Sequence, residues 1–405
     1  MNIAVAQSGG PTCAINASLV GVFKQGFKTK SIDAIFGSIN GIEGIINDEL
    51  IDLKGIIKTN EDMELLRQTP STMLGSCRYK LPDYKTDNKI YEKIRACFEK
   101  HRIKVFIYIG GNDSMDTVVK LSEYFKDEVK VIGIPKTIDN DLPVTDHTPG
   151  FGSAAKYVAT SVQEITRDSS VYSVDSVTII EIMGRHAGWL TASTCVLKAN
   201  GEDAPHLIYL PESDFCIKQF VEDVRREQAK HKAVVIAVSE GIEINSEDTA
   251  LEDFQSGAKD VFGHKYLSGI GRCLEKIVAK EIGCKVRSIE LNVMQRCSSH
   301  ICSKTDIDEA EEIGSAGVIT ALKGETGKMM CFKRVISSPY AVNIETVDAK
   351  EVANHEKLFP KEWINAKGNN VKTAAHKYFL PLIQGEVKIK MNKGMPVHFK
   401  RMTDR

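Results

Sequence analysis

One unit recurs along this chain and restricts its fold more than any other feature. A short, β-branched apolar run is followed by a glycine-rich or charged loop and then by an amphipathic stretch. "NIAVAQ" (2–7) leads into "SGGPTCAIN", "VFIYI" (105–109) into "GGNDS", and "KVIGI" (130–134) into "PKTIDND". "VTIIEI" (177–182) leads into "MGRHAG", and "AVVIAV" (233–238) into "SEGI". Continuous apolar runs are the mark of strands buried on both faces, and their alternation with helical stretches predicts parallel-rich sheets in an α/β fold. Ligands in such sheets collect at the carboxyl ends of the strands, where all five of these loops fall. Two α/β halves are expected, parting near "TDHTPGFGS" (145–153), where proline and glycines break the pattern.

Composition removes several function classes. Lysine plus arginine (53) almost cancels aspartate plus glutamate (54), so neither nucleic acid nor an anionic membrane is the expected partner. No stretch of 18 apolar residues suggests a membrane span, and "MNIAVAQSGG" is too short for a secretory h-region. The ten cysteines are scattered without a C-x-x-C pair and read as reduced thiols of a cytoplasmic protein.

The loops carry phosphate chemistry. In "SGGPTCAIN", Gly9 and Gly10 join strand to helix, where outward N–H groups and the helix dipole favour an anion. Two ordinary turn glycines are the alternative. The loop has neither G-x-G-x-x-G nor a Walker A pattern. "GGNDS" (110–114) repeats the cradle at Gly111 and Ser114 and adds Asp113, which needs a metal or a cation if a phosphate lies beside it. Helix capping by Asp113 or Ser114 would be the plainer role. In "PKTIDND" (135–141), Lys136 and Thr137 can meet phosphoryl oxygens. Asp139 and Asp141 are spaced to share a side of extended chain. One could take the proton of an attacking hydroxyl while the other positions a metal or an arginine. Arg185 in "MGRHAG" is a phosphate or carboxylate clamp, with His186 structural and Trp189 in the core. Glu240 suits sugar hydroxyls, and Arg296 in "NVMQRCSSH" offers a cation to a phosphate on the far side of a substrate. Together these residues describe phosphoryl transfer between two small phosphorylated molecules.

With these loops in the order "SGGP", "LGSCR" (74–78), "GGNDS", "PKTIDND", "MGRHAG", "SEGI" and "QR", the chain resembles the phosphofructokinase family over residues 1 to about 335. Asp113 and Lys136 together are similar to its diphosphate-dependent branch. The resemblance implies a phosphofructokinase-type two-domain α/β/α sandwich. The first unit would hold residues 1–150 plus about 304–345, the second 151–303, with 346–405 as a C-terminal extension. It implies reversible, Mg2+-dependent transfer from diphosphate to the 1-hydroxyl of fructose 6-phosphate by a homo-oligomer, a dimer or a tetramer. Asp139 would be the base, with Lys136, Asp113 and Asp141 completing the catalytic set. Diphosphate would lie among Gly10, Arg78, Gly111, Ser114 and Lys136. The sugar phosphate would meet Thr137, Ile138, Asp139, Met183, Gly184, Arg185, Glu240 and Arg296. The chain departs from the family at Asn112, where a metal-binding aspartate is frequent, at Val293, where a tyrosine is common, and at Ser176, where many relatives place an intersubunit arginine. An ATP-dependent enzyme, a kinase of a seven-carbon sugar phosphate and a catalytically dead sugar-phosphate sensor are the competing readings. "EKLFPKEWINAKGNN" (356–370) is expected to be a loop-rich cover and "KIKMNKGMPVHFKR" (388–401) a solvated basic end.

Overall fold

A computed structural model describes residues 1–244 and 269–401; those parts of the expected 151–303 and 346–405 units that lie at 245–268 and 402–405 fall outside the described residues. Two separate sheets carry the architecture. The first has seven strands in the order β11–β10–β5–β4–β1–β2–β3. Its members are β1 (Asn2–Gln7), β2 (Ile35–Ser38), β3 (Leu50–Asp52), β4 (Ile103–Gly110), β5 (Lys130–Pro135), β10 (Lys328–Ser337) and β11 (Tyr340–Asp348). Its five inner strands run parallel, while β3 and β11 close the two edges in antiparallel fashion. The second sheet, β7–β8–β6–β9, is parallel throughout and uses β6 (Ser176–Ile182), β7 (Leu207–Tyr209), β8 (Ala233–Ser239) and β9 (Lys285–Glu290).

The strands follow from their residues. All of β1 is buried, as is β4 except Lys104, because helices cover both faces of the sheet. The chain leaves β1 toward β2 on one side and later returns to add β4 on the other. The β1–β4 boundary is therefore a topological switch point, with a crevice beyond the carboxyl ends of these strands. The second sheet has its own switch at β6, which lies between β8 and β9.

After β9 the chain crosses back through the helix Lys304–Leu322 and delivers β10 to the first sheet beside β5. Small residues let that helix lie tightly on the helix Ile15–Lys28: a Cβ on Gly314 would come within 2.2 Å of the Ser18 carbonyl oxygen, and one on Gly21 within 2.0 Å of that of Glu311. Asp306 in its first turn accepts the N–H groups of Gly150 (2.8 Å) and Ser153 (3.0 Å), so it also caps the helix Phe151–Ser169. The "TDHTPGFGS" stretch thus ends at a helix start. Gly150 has φ +104 there, and a Cβ would stand 2.9 Å from Thr12.

The segment after β11 is loop-rich, as expected of 356–370, yet it is deeply involved in packing. Phe359, Ile364, Val371, Tyr378 and Phe379 join Trp189 in the second sheet's core. The basic end is largely exposed, as expected of 388–401, yet it is tethered. Residues 391–392 and 395–396 pair as a short hairpin, Lys390 N–H donates to Gln68 Oε1 (3.0 Å), and Phe399 N–H donates to Thr69 Oγ1 (2.8 Å). Its backbone groups find partners on the helix Asn60–Gln68 and its C-cap while its side chains stay largely in solvent. Among the described residues no helix is long and apolar enough to cross a membrane.

Candidate active site

The loops at the carboxyl ends of both sheets line one cavity of about 750 Å³. The first-sheet side is built around close main-chain approach. Lys136 follows β5; its N–H donates to Gly110 O (2.9 Å) and its ammonium to Gly10 O (2.6 Å), so the three loops after β1, β4 and β5 touch one another. Gly9 has φ +77, and a Cβ there would lie 3.1 Å from Lys136 Nζ. A side chain there would crowd the ammonium. Gly111, Asn112, Asp113 and Ser114 open the helix that follows β4, presenting its N-terminus to the cavity. Arg78, from the loop at 75–82, lies on the same side.

The second-sheet side is built from long side chains: Met183, Arg185 and His186 after β6, Glu240 after β8 and Arg296 after β9. Arg296 reaches back across the cleft, where a Cβ on Gly10 would stand 3.3 Å from its Nη1. It therefore stands beside the glycine cradle instead of on the far side of the cavity.

Between the two walls lies the 135–141 loop. Thr137 Oγ1 accepts the Asp139 N–H (3.0 Å), and the Thr137 carbonyl accepts the Thr148 hydroxyl (2.8 Å). Asn140 turns the chain through φ +55, in the left-handed region that asparagine tolerates best after glycine. Thr137, Ile138, Asp139 and Asp141 all line the cavity.

Electrostatics mark this loop. Burial, then the charges of Asp141 and Glu240, push the Asp139 carboxyl up to about 7 against the pull of Lys136 and Arg185. Burial also raises Asp141, and it raises Glu240 to about 7 although Gly184 N–H and Arg185 oppose it. Burial lowers the Lys136 ammonium to about 8, with Arg296 and Arg78 adding to the effect and Asp139 and Asp141 opposing it. Such displacement of a carboxylate and an amine toward neutrality is the usual signature of acid–base machinery.

Two residues sit differently from expectation. Gly184 does not line the cavity; it stands behind it, donating its N–H to Glu240 Oε1 (3.4 Å) and accepting the Ser239 hydroxyl (2.6 Å). At φ +134, with Ala187 O 2.6 Å from a would-be Cβ, it is a brace for Glu240. Asn112 has both ends of its amide tied to the chain: Nδ2 donates to His355 O (2.5 Å) and Oδ1 accepts Asn354 N–H (2.5 Å). An oxygen so engaged is a poor metal ligand. His186, read as structural, lines the cavity, while Trp189 is in the core. Ser176 lies at the opposite end of β6 from Met183, away from this cavity, and Val293 is about half exposed.

Sequence reasoning missed Asn354, His355 and Glu356, which also line the cavity. They lie in the irregular segment beyond β11 and carry no glycine signal.

A family model described as phosphofructokinase matches residues 2–316. This chain belongs to the phosphofructokinase family. It is 39% identical over 401 residues to a pyrophosphate–fructose 6-phosphate 1-phosphotransferase of Halomonas elongata, covering 98% of this chain and 94% of the relative. A protein of the same name from Xanthomonas campestris pv. campestris is 40% identical over 390 residues, 95% of this chain and 92% of that one. Among solved structures, the pyrophosphate-dependent phosphofructokinase from Marinobacter aquaeolei superposes with a TM-score of 0.86 at 34% identity, covering 99% of this chain and 96% of that chain.

Proposed function

We propose that this phosphofructokinase-family chain is a phosphotransferase that moves a phosphoryl group reversibly from diphosphate to the 1-hydroxyl of fructose 6-phosphate. The observation that carries the donor assignment is the presence of Asp113 and Lys136 on the same wall of the cavity, within reach of the glycine cradle. A donor with a third phosphate would bring it against the Asp113 carboxylate. At about 4 Å and an effective dielectric near 20, that repulsion is roughly 4 kcal/mol, or about a thousandfold in binding. The names of the relatives support the same donor and acceptor.

In this reading Asp139 takes the proton of the attacking hydroxyl, and Arg185, Glu240 and Arg296 hold the sugar phosphate with Thr137, Ile138 and Met183. Gly10, Arg78, Gly111, Ser114 and Lys136 surround diphosphate, and the Lys136 ammonium meets charge that builds on the leaving phosphate. Mg2+ is the implied metal, and the hard carboxylate oxygens of this wall suit it. With the Asn112 oxygen tied to the chain, the metal would be held by oxygens of diphosphate itself and by the Asp141 carboxylate, which also lines the cavity. When bound, it would supply charge neutralisation to the donor. We extend the proposal to a cytoplasmic homodimer or tetramer. Its donor-binding domain would be 1–150 plus about 304–345, its sugar-binding domain 151–303, and its extension 346–405.

The test uses purified protein, fructose 6-phosphate and Mg2+ with either donor. Faster turnover with diphosphate is expected. Faster turnover with ATP would overturn the donor assignment, and binding of both substrates without turnover would leave a sensor.

A further inference from the structure

Behind the 135–141 loop, on the face turned away from the cavity, lies one lysine that none of the strand-end loops supplies. Lys357 comes from the segment after β11, and its ammonium points inward although the residue as a whole is partly exposed. Nζ donates to Asp146 O (2.8 Å), Thr145 O (3.0 Å) and Asn140 Oδ1 (3.3 Å). Its partners are carbonyl oxygens, and among the described residues no carboxylate lies at contact distance to cancel its charge. The backbone of the same residue is tied at both ends. Its N–H donates to Asp141 O (2.7 Å), and its carbonyl accepts Trp189 Nε1–H (2.9 Å), whose ring lies 5.0 Å from the ammonium.

These contacts converge on the turn that separates the two aspartates. Asn140 is fully buried, and its left-handed backbone places Asp139 and Asp141 on the cavity side. One end of its amide is held by Lys357 and the other by the Tyr378 hydroxyl (2.8 Å), which itself donates to Asp146 O (2.6 Å). The loop is thus fixed from behind at Asn140, Asp141, Thr145 and Asp146, and Lys357 makes a bond at every one of those positions. Burial lowers its ammonium to about 8, with Arg334 adding to the effect and Asp146 and Asp141 opposing it, consistent with a cation enclosed by dipoles behind the carboxylates.

We propose that Lys357 is a positioning residue for phosphoryl transfer, holding the turn that aims Asp139 at the acceptor hydroxyl without itself touching substrate. The proposal rests on the transferase reading above. It also gives the C-terminal segment a task in catalysis: the loop after β5 is held in its working geometry by residues more than 200 positions later in the chain, namely Lys357 and Tyr378. A base held in the wrong place loses rate, not affinity. Displacement by about 1 Å can cost on the order of 10²-fold, whereas the groups that bind diphosphate and the sugar phosphate stay where they are.

Steady-state kinetics on the full-length protein test this. The unaltered protein is assayed first with diphosphate, fructose 6-phosphate and Mg2+; if it is inactive, the functional reading fails and not this one. Lys357→Met should then lower kcat by roughly 10²-fold while both KM values stay within about threefold, and Lys357→Arg should recover much of the loss. A merely structural lysine would lower Tm and the yield of folded protein, yet leave kcat per folded active site unchanged. That result, or a loss confined to KM, would overturn the proposal. If Lys357→Met does not fold, Lys357→Gln keeps an N–H donor for the carbonyls and removes the charge. The same split between kcat and KM is expected for it with a smaller loss, and full kcat in a folded Lys357→Gln would equally overturn the assignment.

Discussion

On the first-sheet side the cavity meets glycine main chain at Gly9, Gly10 and Gly111, the helix after β4 points its N-terminus inward, and a Cβ on Gly9 would crowd the Lys136 ammonium at 3.1 Å. On the second-sheet side it meets long charged side chains, Arg185, Glu240 and Arg296. On the proposed reading the two walls would bind in different ways. The glycine cradle would grip any compact phosphate, with selectivity from the few side chains at its rim, chiefly Asp113 and Lys136. The side-chain wall would read shape and charge at several points, so no single residue there would command its specificity. The loop at 135–141 belongs to both, with Lys136 turned to one wall and Asp139 to the other.

The largest effect is expected where the walls meet. Asp139→Asn keeps the shape of the base and removes its basicity. It should lose roughly 10²–10⁴-fold in kcat, with KM values little changed. A near-normal rate would take Asp139 out of the role and leave the comparison without its pivot.

Next comes the rim of the cradle. Asp113→Gly should improve ATP binding by up to about a thousandfold, since that is what a carboxylate close to a third phosphate costs. Inhibition by ATP against diphosphate measures it directly. An unchanged inhibition constant would mean that the main chain, and not the rim, sets donor size. Lys136→Gly belongs to the same wall and should cripple turnover with diphosphate, because the charge on the leaving phosphate would then go unmet.

Arg296→Ala is expected to cost less, about 10–100-fold in the KM for fructose 6-phosphate with kcat nearly constant, as befits a charge-assisted grip that holds ground state and transition state alike. The guanidinium of Arg296 lies beside Gly10, so the same assay should follow the KM for diphosphate too. A larger rise for diphosphate would assign this arginine to the first wall.

The difference between the walls also explains what the sequence revealed. Strand ends were legible because buried parallel strands are continuous apolar runs and the loops after them are unusual: "SGGP", "GGNDS" and "PKTIDND" each combine glycine or proline with chemistry that a turn does not need. The return of β10 and β11 to the first sheet followed from the resemblance and not from the pattern. Asn354, His355, Glu356 and Lys357 were not legible as residues at or behind the cavity, although 356–370 read as a loop-rich cover. They sit in an irregular segment whose place is decided by tertiary contacts, Trp189 Nε1–H to Lys357 O and Asn112 to the 354–355 backbone, and periodicity is silent about such contacts. Gly184 was misplaced for a related reason: its motif puts it among ligand groups, but its φ of +134 turns its N–H to Glu240. The basic tail is mostly exposed, as its charge suggested, but charge is silent about the main-chain bonds that tether it, from Lys390 and Phe399 to Gln68 and Thr69.

The smallest effect expected is a pH dependence, and it separates the two walls most cleanly. The Asp139 carboxyl is raised to about 7 and must be ionised to accept the proton of the sugar hydroxyl. Diphosphate-driven kcat/KM should therefore rise through pH 7, reaching only about a tenth of its plateau one unit below, after correction for substrate ionisation. The Lys136 ammonium is lowered to about 8 and must stay protonated to meet the donor, so the same profile should fall above that value. In the reverse direction the sugar oxygen leaves and needs its proton back, which only the protonated carboxyl can give. The limb near 7 should then invert, with reverse kcat/KM falling as pH rises, while the limb near 8 keeps its sign. Lys136→Arg, which keeps a cation that does not titrate in this range, should remove the alkaline limb in both directions and leave the acidic one in place. If both limbs moved together, the two groups would be titrating as one unit, and the division of the loop between a donor wall and an acceptor wall would have to be abandoned.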